Sequence, residues 1–154
     1  MVGKNDKLNI LLADDDKDDC LLFEEALEEL ALNTTLVTMH EGEQLMRHLE
    51  TVSANLPHVL FLDLNMPRKN GFECLTEIKK HPTLEKLPVI IFSTSYDPEK
   101  ANMLYNTGAN YYICKPSDFE DLKKVIRNAI MLVNQNDEQV SKKKFVINKL
   151  KTAL

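Results

Sequence analysis

Short apolar runs alternate along the chain with longer segments in which apolar residues recur at helical spacing. The runs have the length of buried strands, and they cover residues 9–13, 35–39, 59–62, 88–92 and 110–114. The longer segments are amphipathic, and they predict helices over residues 17–31, 43–52, 72–81, 98–107 and 118–134. Strands that alternate with helices in this way indicate a parallel sheet with right-handed crossovers. The pattern therefore predicts an α/β domain.

Four of the five predicted strands are followed by polar residues. Asp14 and Asp15 follow the first strand, Asp63 the third, Ser93 the fourth and Lys115 the fifth. In a parallel sheet these strand ends lie at one edge, which is where ligands bind. If the strands take the order 2-1-3-4-5, which is common in doubly wound sheets, the three aspartates share one crevice. We therefore expect a single flavodoxin-like (βα)5 domain with five parallel strands and a site at this edge.

The composition limits the classes of function. The chain has 154 residues, 44% of them hydrophobic, which suits one domain with a sizeable core and a short appendage. The formal net charge of -5 provides no basic surface for nucleic acid. No apolar run is long enough to span a membrane, and residues 1–7 lack the apolar core of a signal peptide, so we expect a cytoplasmic protein. Cys20, Cys74 and Cys114 form no CxxC pair, so neither a disulfide framework nor a zinc site is expected.

The three aspartates predict a metal site. Carboxylates that lie close together repel one another, so either one of them takes up a proton or a cation binds between them. Mg²⁺ prefers oxygen ligands, keeps several of its waters and leaves room for a phosphate oxygen. Asp63, at the tip of the central strand, can then act as a nucleophile toward phosphorus and form an aspartyl phosphate. The ammonium of Lys115 and the hydroxyl of Ser93 are suited to binding the phosphoryl oxygens.

Each of these residues also has a structural alternative. Asp63 is suited to capping the third helix, and Ser93 to capping the segment that follows the fourth strand. Lys115 has the alternative of a surface lysine beside a turn. Three further aspartates precede or begin the first helix, at positions Asp16, Asp18 and Asp19. Their charges suit the positive end of the helix dipole, which is the interpretation we favour for the last two.

The motifs at the strand ends resemble those of a known family. They lie at residues 12–16, 61–67 with Gly71, 92–94 and 112–116, and their sequences are LADDD, FLDLNMP, FST and YICKP. In order and spacing, over residues 8–133, they are similar to the signature of bacterial two-component response-regulator receiver domains. The segment 63–95 also resembles the stand-alone regulators that partner phytochrome-type histidine kinases.

The resemblance implies a role for each site residue. Asp63 would be the phosphoacceptor of a two-component phosphorelay. Asp14 and Asp15 would bind Mg²⁺ together with Asp63 and the backbone carbonyl of Asn65. Lys115 would contact the phosphoryl group. The phosphoryl donor would be a sensor histidine kinase or a histidine phosphotransfer protein.

The resemblance also implies a conformational switch. Ser93 matches the switch Ser/Thr of the family, and Tyr112 matches its aromatic switch, although Tyr112 alone would be taken for an ordinary half-buried strand residue. Phosphorylation would remodel the face formed by the fourth helix, the fifth strand and the fifth helix. A homodimer would form through this face or through the C-terminal tail. Thr94 departs from the smaller residue of many members, and no DNA-binding domain follows, so we expect output through protein contacts.

The predicted domain organisation has three parts. Residues 1–7 form a lead, residues 8–134 the receiver domain and residues 135–154 a C-terminal tail. Four apolar residues of the tail are spaced as in a weak amphipathic helix, namely Val140, Ile147, Leu150 and Leu154. Such a helix would pack on the domain or on a second subunit, and the alternative is a frayed, solvated tail.

Two other classes of protein share parts of this pattern. Phosphatases of the haloacid dehalogenase type also use an aspartate nucleophile with Mg²⁺, but they resemble one another in a second aspartate two positions later, where this chain has Asn65. Flavin-binding proteins with the same sheet order need a phosphate-binding loop after the first strand, where this chain has aspartates that would repel a phosphate. We therefore expect a phosphoacceptor signalling domain rather than an enzyme.

Overall fold

The computed structural model describes residues 7–136 and 138–147. In these ranges the helices are α1 (Lys17–Leu30), α2 (Gly42–Thr51), α3 (Gly71–Lys80), α4 (Pro98–Thr107) and α5 (Phe119–Gln135). The strands are β1 (Leu8–Ala13), β2 (Thr34–Met39), β3 (Val59–Leu62), β4 (Val89–Ser93), β5 (Tyr111–Cys114) and β6 (Val146–Ile147). The five strands and five helices expected from the hydrophobic pattern are present, and one strand is added.

The strands form one parallel sheet in the order β2-β1-β3-β4-β5-β6. The predicted α/β fold and the order of the first five strands are therefore confirmed. Helices α1 and α5 cover one face of the sheet and pack on each other, while α2, α3 and α4 cover the other face. Among the described residues, no helix is both long enough and apolar enough to cross a membrane.

The central strands are held by packing on both faces. On the side of α1, the rings of Phe23, Phe61 and Phe92 meet edge to face, with centroids 4.9 to 6.0 Å apart. On the opposite side, Leu75 of α3 and Leu104 of α4 are almost completely buried. Every residue of β3 and β4 is buried. The residues that follow these strands therefore project from a rigid base.

The C-terminal tail differs from the sequence prediction. Residues 142–144 form a 3₁₀ turn, and Val146 and Ile147 form β6, which pairs in parallel with Tyr112 and Ile113 of β5. The amphipathic helix predicted from Val140 onward is therefore wrong over residues 138–147. A frayed tail is also wrong over this range, since Phe145 and Ile147 are buried. The positions of Leu150 and Leu154 lie outside the described residues.

The reason for the difference is the exposed edge of β5. An edge strand has unpaired backbone groups, and a segment that pairs with it satisfies them. The backbone N–H of Tyr112 donates to the carbonyl of Phe145 at 3.0 Å. The ring of Phe145 then fills a space between Tyr105 of α4 and Tyr112 of β5. These tertiary contacts outweigh the weak helical spacing of the tail.

Candidate functional site

The aspartates predicted to form a metal site lie together at the carboxyl edge of the sheet. Ala13 of β1 is in register with Leu62 of β3, so the residues that follow them, Asp14 and Asp63, are neighbours. The N–H of Asp63 donates to the carbonyl of Ala13 at 2.9 Å, which extends the pairing past the strand ends. Asp14, Asp15 and Asp63 each offer a carboxylate oxygen, and these oxygens lie within 4.8 Å of one another.

The geometry of the three carboxylates fits a small divalent cation. Ligands of Mg²⁺ lie about 2.1 Å from the ion, so oxygens on opposite sides are about 4.2 Å apart. A small inward movement of the side chains therefore brings the cluster to this size. Asp14 and Asp63 are buried, whereas Asp15 is exposed, so one side of the cluster is open to solvent. An open side suits Mg²⁺, which keeps several of its waters and can exchange one for a phosphate oxygen.

The environment of Asp63 disfavours its charged form in the absence of a cation. Burial and the negative charges of Asp14 and Asp15 raise the pKa of Asp63 to about 7, although the charge of Lys115 and a backbone hydrogen bond from Asn65 oppose the rise. An opposite charge next to these carboxylates would restore the ionised form, which is the nucleophilic one. The carboxyl group of Asp63 is therefore poised to gain reactivity when a cation binds.

Lys115 reaches the same cluster from the end of β5. Its Nζ atom lies 2.6 Å from Oδ2 of Asp14 and 3.0 Å from Oδ2 of Asp19, and its side chain is only 9% exposed. Burial lowers the pKa of Lys115, but the hydrogen bonds to Asp14 and Asp19 outweigh burial and raise the pKa above its usual value. The ammonium is therefore charged, and its positive charge also acts on Asp63.

Ser93 is the last residue of β4, and Tyr112 lies on the neighbouring strand β5, where it is in register with Ile91. Ser93 is in register with Cys114, and its side chain is buried. The side chain of Tyr112 is 1% exposed and turned inward, and its hydroxyl donates to the carbonyl of Ser95. Burial raises the pKa of Tyr112, and a hydrogen bond with Ser93 opposes this. The two predicted switch residues are thus in direct contact.

The loop after β3 carries Asn65 and returns the chain past Asp63. Asn65 is exposed, and its backbone N–H faces the carboxylate of Asp63. The N–H of Gly71, the first residue of α3, donates to the carbonyl of Leu64 at 2.9 Å. A Cβ atom at position 71 would lie 2.2 Å from the carbonyl oxygen of Asp63. Glycine is therefore required here, because the start of α3 is packed directly on the backbone of Asp63.

The capping alternatives for Asp63 and Ser93 do not apply. Helix α3 is capped by Asn70, whose side chain accepts from the N–H of Glu73 in a reciprocal capping box. Helix α4 is capped by Asp97, whose side chain accepts from the first N–H groups of that helix. Asp63 and Ser93 are thus free for other contacts. The surface alternative for Lys115 is also wrong, since its ammonium is buried against Asp14.

Asp19 is a site residue that the sequence interpretation missed. We favoured a simple dipole role for it, and the structure instead gives it an ion pair with Lys115. Asp16 caps α1 by accepting from the N–H groups of Asp18 and Asp19, while Asp18 is exposed. Position 19 lies one helical turn after the cap, but the sequence pattern alone does not show that this side of α1 faces Lys115.

Comparisons with known proteins agree with this geometry. The sequence profile of the family described as the response regulator receiver domain matches residues 10–127. Response regulator Rcp1 from Synechocystis sp. is 33% identical over 122 residues, which cover 77% of this chain and 83% of that protein.

Two solved structures are similar to the whole fold. The crystal structure of the Mn²⁺-bound form of response regulator Rcp1 has a TM-score of 0.71 at 31% identity, covering 78% of this chain and 89% of that one. The crystal structure of the phosphorylated cyanobacterial phytochrome response regulator RcpA has a TM-score of 0.77 at 32% identity, covering 84% of this chain and 95% of that one. One of these relatives therefore holds a divalent metal ion, and the other is phosphorylated.

Proposed function

Since this chain belongs to the response regulator receiver domain family, we propose that it accepts a phosphoryl group on Asp63 in a Mg²⁺-dependent reaction. The donor is a sensor histidine kinase or a histidine phosphotransfer protein. The observation that carries the proposal is the buried carboxylate of Asp63, which follows β3. One of its oxygens lies within 4.8 Å of carboxylate oxygens of Asp14 and Asp15. The phosphorylated and metal-bound states of the relatives support it.

Different residues of the site have different roles in phosphoryl transfer. The carboxylates of Asp14, Asp15 and Asp63 and the backbone carbonyl of Asn65 would hold Mg²⁺, and the ion would supply positive charge next to the incoming phosphoryl group. An oxygen of the Asp63 carboxylate bonds to phosphorus, while the bond from phosphorus to the donor imidazole breaks and its electron pair stays on nitrogen. Lys115 binds a phosphoryl oxygen and offsets its charge.

Ser93 and Tyr112 report the phosphorylated state to the surface. The hydroxyl of Ser93 donates to a phosphoryl oxygen and draws the loop after β4 toward Asp63. Tyr112 contacts both Ser93 and the carbonyl of Ser95 in that loop, so its position depends on the loop. The phosphoryl group therefore shifts the population of two arrangements of α4 and β5.

The partner surface is the face formed by α4, β5 and α5, together with the tail that covers the edge of β5. Tyr96 and Met103 are about half exposed on this side of the chain, so an apolar contact area is available to a partner or a second copy. A homodimer through this face, a cytoplasmic location and the division into residues 1–7, 8–134 and 135–154 are parts of the same proposal. The chain acts as a phosphoacceptor and not as an enzyme on other substrates.

The proposal is tested by incubating the protein with acetyl phosphate and Mg²⁺ and following both bound phosphate and released phosphate. We expect at most one phosphoryl group per chain, stable in acid and labile in base, and none in Asp63→Asn. Rapid turnover of many phosphate esters would instead indicate a phosphatase of the haloacid dehalogenase type. A yellow purified protein would indicate a flavin-binding protein.

A further inference from the structure

We propose that Asp19 is a positioning residue that competes with the phosphoryl group on Asp63 for the ammonium of Lys115. This inference rests on the proposed function, because it concerns how readily Lys115 becomes available to the phosphoryl group. Asp19 thereby limits the occupancy of the phosphorylated state without touching the reacting atoms.

The contacts of Lys115 show that a phosphoryl group on Asp63 has to compete for its ammonium. Its ammonium has three hydrogens. Two of them are engaged by carboxylates, with Oδ2 of Asp14 at 2.6 Å and Oδ2 of Asp19 at 3.0 Å. Within the described residues these are its ion pairs, and Asp63 is not among them. One hydrogen is left for a phosphoryl oxygen on Asp63, which must therefore compete with two carboxylates for the position and the charge of the ammonium.

Of the two carboxylates, Asp19 is the one that still attracts Lys115 when a cation is bound. Asp14 also belongs to the cluster that fits a divalent cation, and a bound cation weakens its attraction for the ammonium. Asp19 is outside that cluster. Its backbone is anchored in the first turn of α1, where its N–H donates to Oδ1 of Asp16 at 3.2 Å. Asp19 therefore presents a fixed negative charge to Lys115 in both the metal-free and the metal-loaded site.

Removing the charge of Asp19 changes two affinities of the site in opposite directions, that for the phosphoryl group and that for the cation. Without the charge of Asp19, Lys115 moves to a phosphoryl oxygen at lower cost, and the site repels an anion less. The same change leaves the site more positive, so a cation binds less tightly. A loss of folding or of local order would instead weaken the binding of both ligands. The opposite signs therefore separate a positioning role from a structural one.

The test uses the full chain and beryllofluoride, a mimic of the phosphoryl group, with binding followed by calorimetry. In Asp19→Asn we expect beryllofluoride affinity at saturating Mg²⁺ to rise about 3- to 10-fold, and Mg²⁺ affinity to fall about 2- to 5-fold. Asp18→Asn is the matched control, because it removes the same charge from the same helical turn but from an exposed side chain without an ion pair to Lys115. We expect both affinities in this control to change less than about twofold.

A second comparison isolates the contact with Lys115. In a Lys115→Ala background, Asp19→Asn should no longer increase beryllofluoride affinity, since the residue for which Asp19 competes is absent. Unchanged or weaker beryllofluoride binding in Asp19→Asn overturns the inference, as does an equal increase in Asp18→Asn or in the Lys115→Ala background. If the wild-type protein binds beryllofluoride no better than Asp63→Asn does, the proposed function fails, and this inference fails with it.

Discussion

The ring of Phe145 in the tail packs edge-on against the ring of Tyr112 in β5, with the two centroids 6.4 Å apart. Phe145 also meets the ring of Tyr105 on α4, at 5.2 Å. The tail is fixed further by Gln139, whose side chain donates to the carbonyls of Tyr105 and Ala109. The segment that follows α5 thus covers the residue that we propose as the aromatic switch.

Replacing Phe145 by alanine should destabilise the protein and release the tail. Phe145 is 2% exposed, and the loss of such a side chain costs about 3 kcal/mol, or less if the tail detaches and leaves no cavity. Urea denaturation measures the free energy of unfolding, and limited proteolysis after the lysines at 142–144 reports release of the tail. Ser141→Ala is the control, because Ser141 is exposed, makes no side-chain capping hydrogen bond and is not a cleavage site. Equal stability and equal proteolysis of the two variants would show that the tail is not docked by Phe145.

Asp63→Asn should stabilise the metal-free protein at neutral and alkaline pH. The pKa of Asp63 is raised from 3.8 to about 7 by burial first, and then by Asp14 and Asp15. A carboxyl group of this kind contributes stability that is complete below about pH 4 and is lost as the pH rises through 7. The asparagine variant avoids this loss, so its advantage is at most about 4 kcal/mol near pH 8 and about half of that near pH 5.

Thermal unfolding of both proteins across this pH range, with the metal removed, measures the effect of Asp63→Asn. Adding Mg²⁺ near pH 8 should narrow the difference, because the cation stabilises the wild-type cluster more than the variant cluster. An advantage of the asparagine variant that grows as the pH falls would contradict this account of Asp63.

Gly71→Ala should lower both stability and Mg²⁺ affinity. The added Cβ atom would lie 2.2 Å from the carbonyl oxygen of Asp63 and 2.8 Å from Cα of Leu64, so the backbone that carries Asp63 must move. We expect a loss of about 2 kcal/mol in the free energy of unfolding and a clear weakening of Mg²⁺ binding.

Gly108→Ala is the control for Gly71→Ala. Gly108 ends α4 with φ at 116°, so alanine there is also strained, but this end of α4 is remote from the aspartates. Both variants should lose stability, and only Gly71→Ala should lose Mg²⁺ affinity in a calorimetric titration. Equal Mg²⁺ affinity in the two variants would mean that Gly71 does not support the site.

Much of the fold and of the candidate site could be predicted from the sequence, because both depend on local patterns. The apolar run before Asp63 defines a buried strand by itself, and the carboxyl edge of a parallel sheet gathers the residues that follow such strands. The helix predicted over residues 98–107 is present as α4, with Pro98 in its first turn and Gly108 at its C-terminal cap.

The remainder depended on contacts between distant parts of the chain. Strand β6 has two residues, too few to show the alternation of apolar and polar positions that marks a strand. It is stabilised by pairing with the edge of β5 and by burial of Phe145. Asp19 resembles any acidic residue in a first helical turn until α1 and the end of β5 are seen side by side. Local patterns describe neither relationship, since each pairs residues far apart in sequence.

The central claim is that Asp63 receives the phosphoryl group with the help of a divalent cation, and locating the modified residue tests it most directly. The protein is incubated with acetyl phosphate, with Mg²⁺ or with a chelator, and the peptides are analysed by mass spectrometry. The account predicts one phosphorylated peptide that contains Asp63, formed only with Mg²⁺ and absent from Asp63→Asn. A phosphoryl group on another residue, or one that persists in Asp63→Asn, would contradict it.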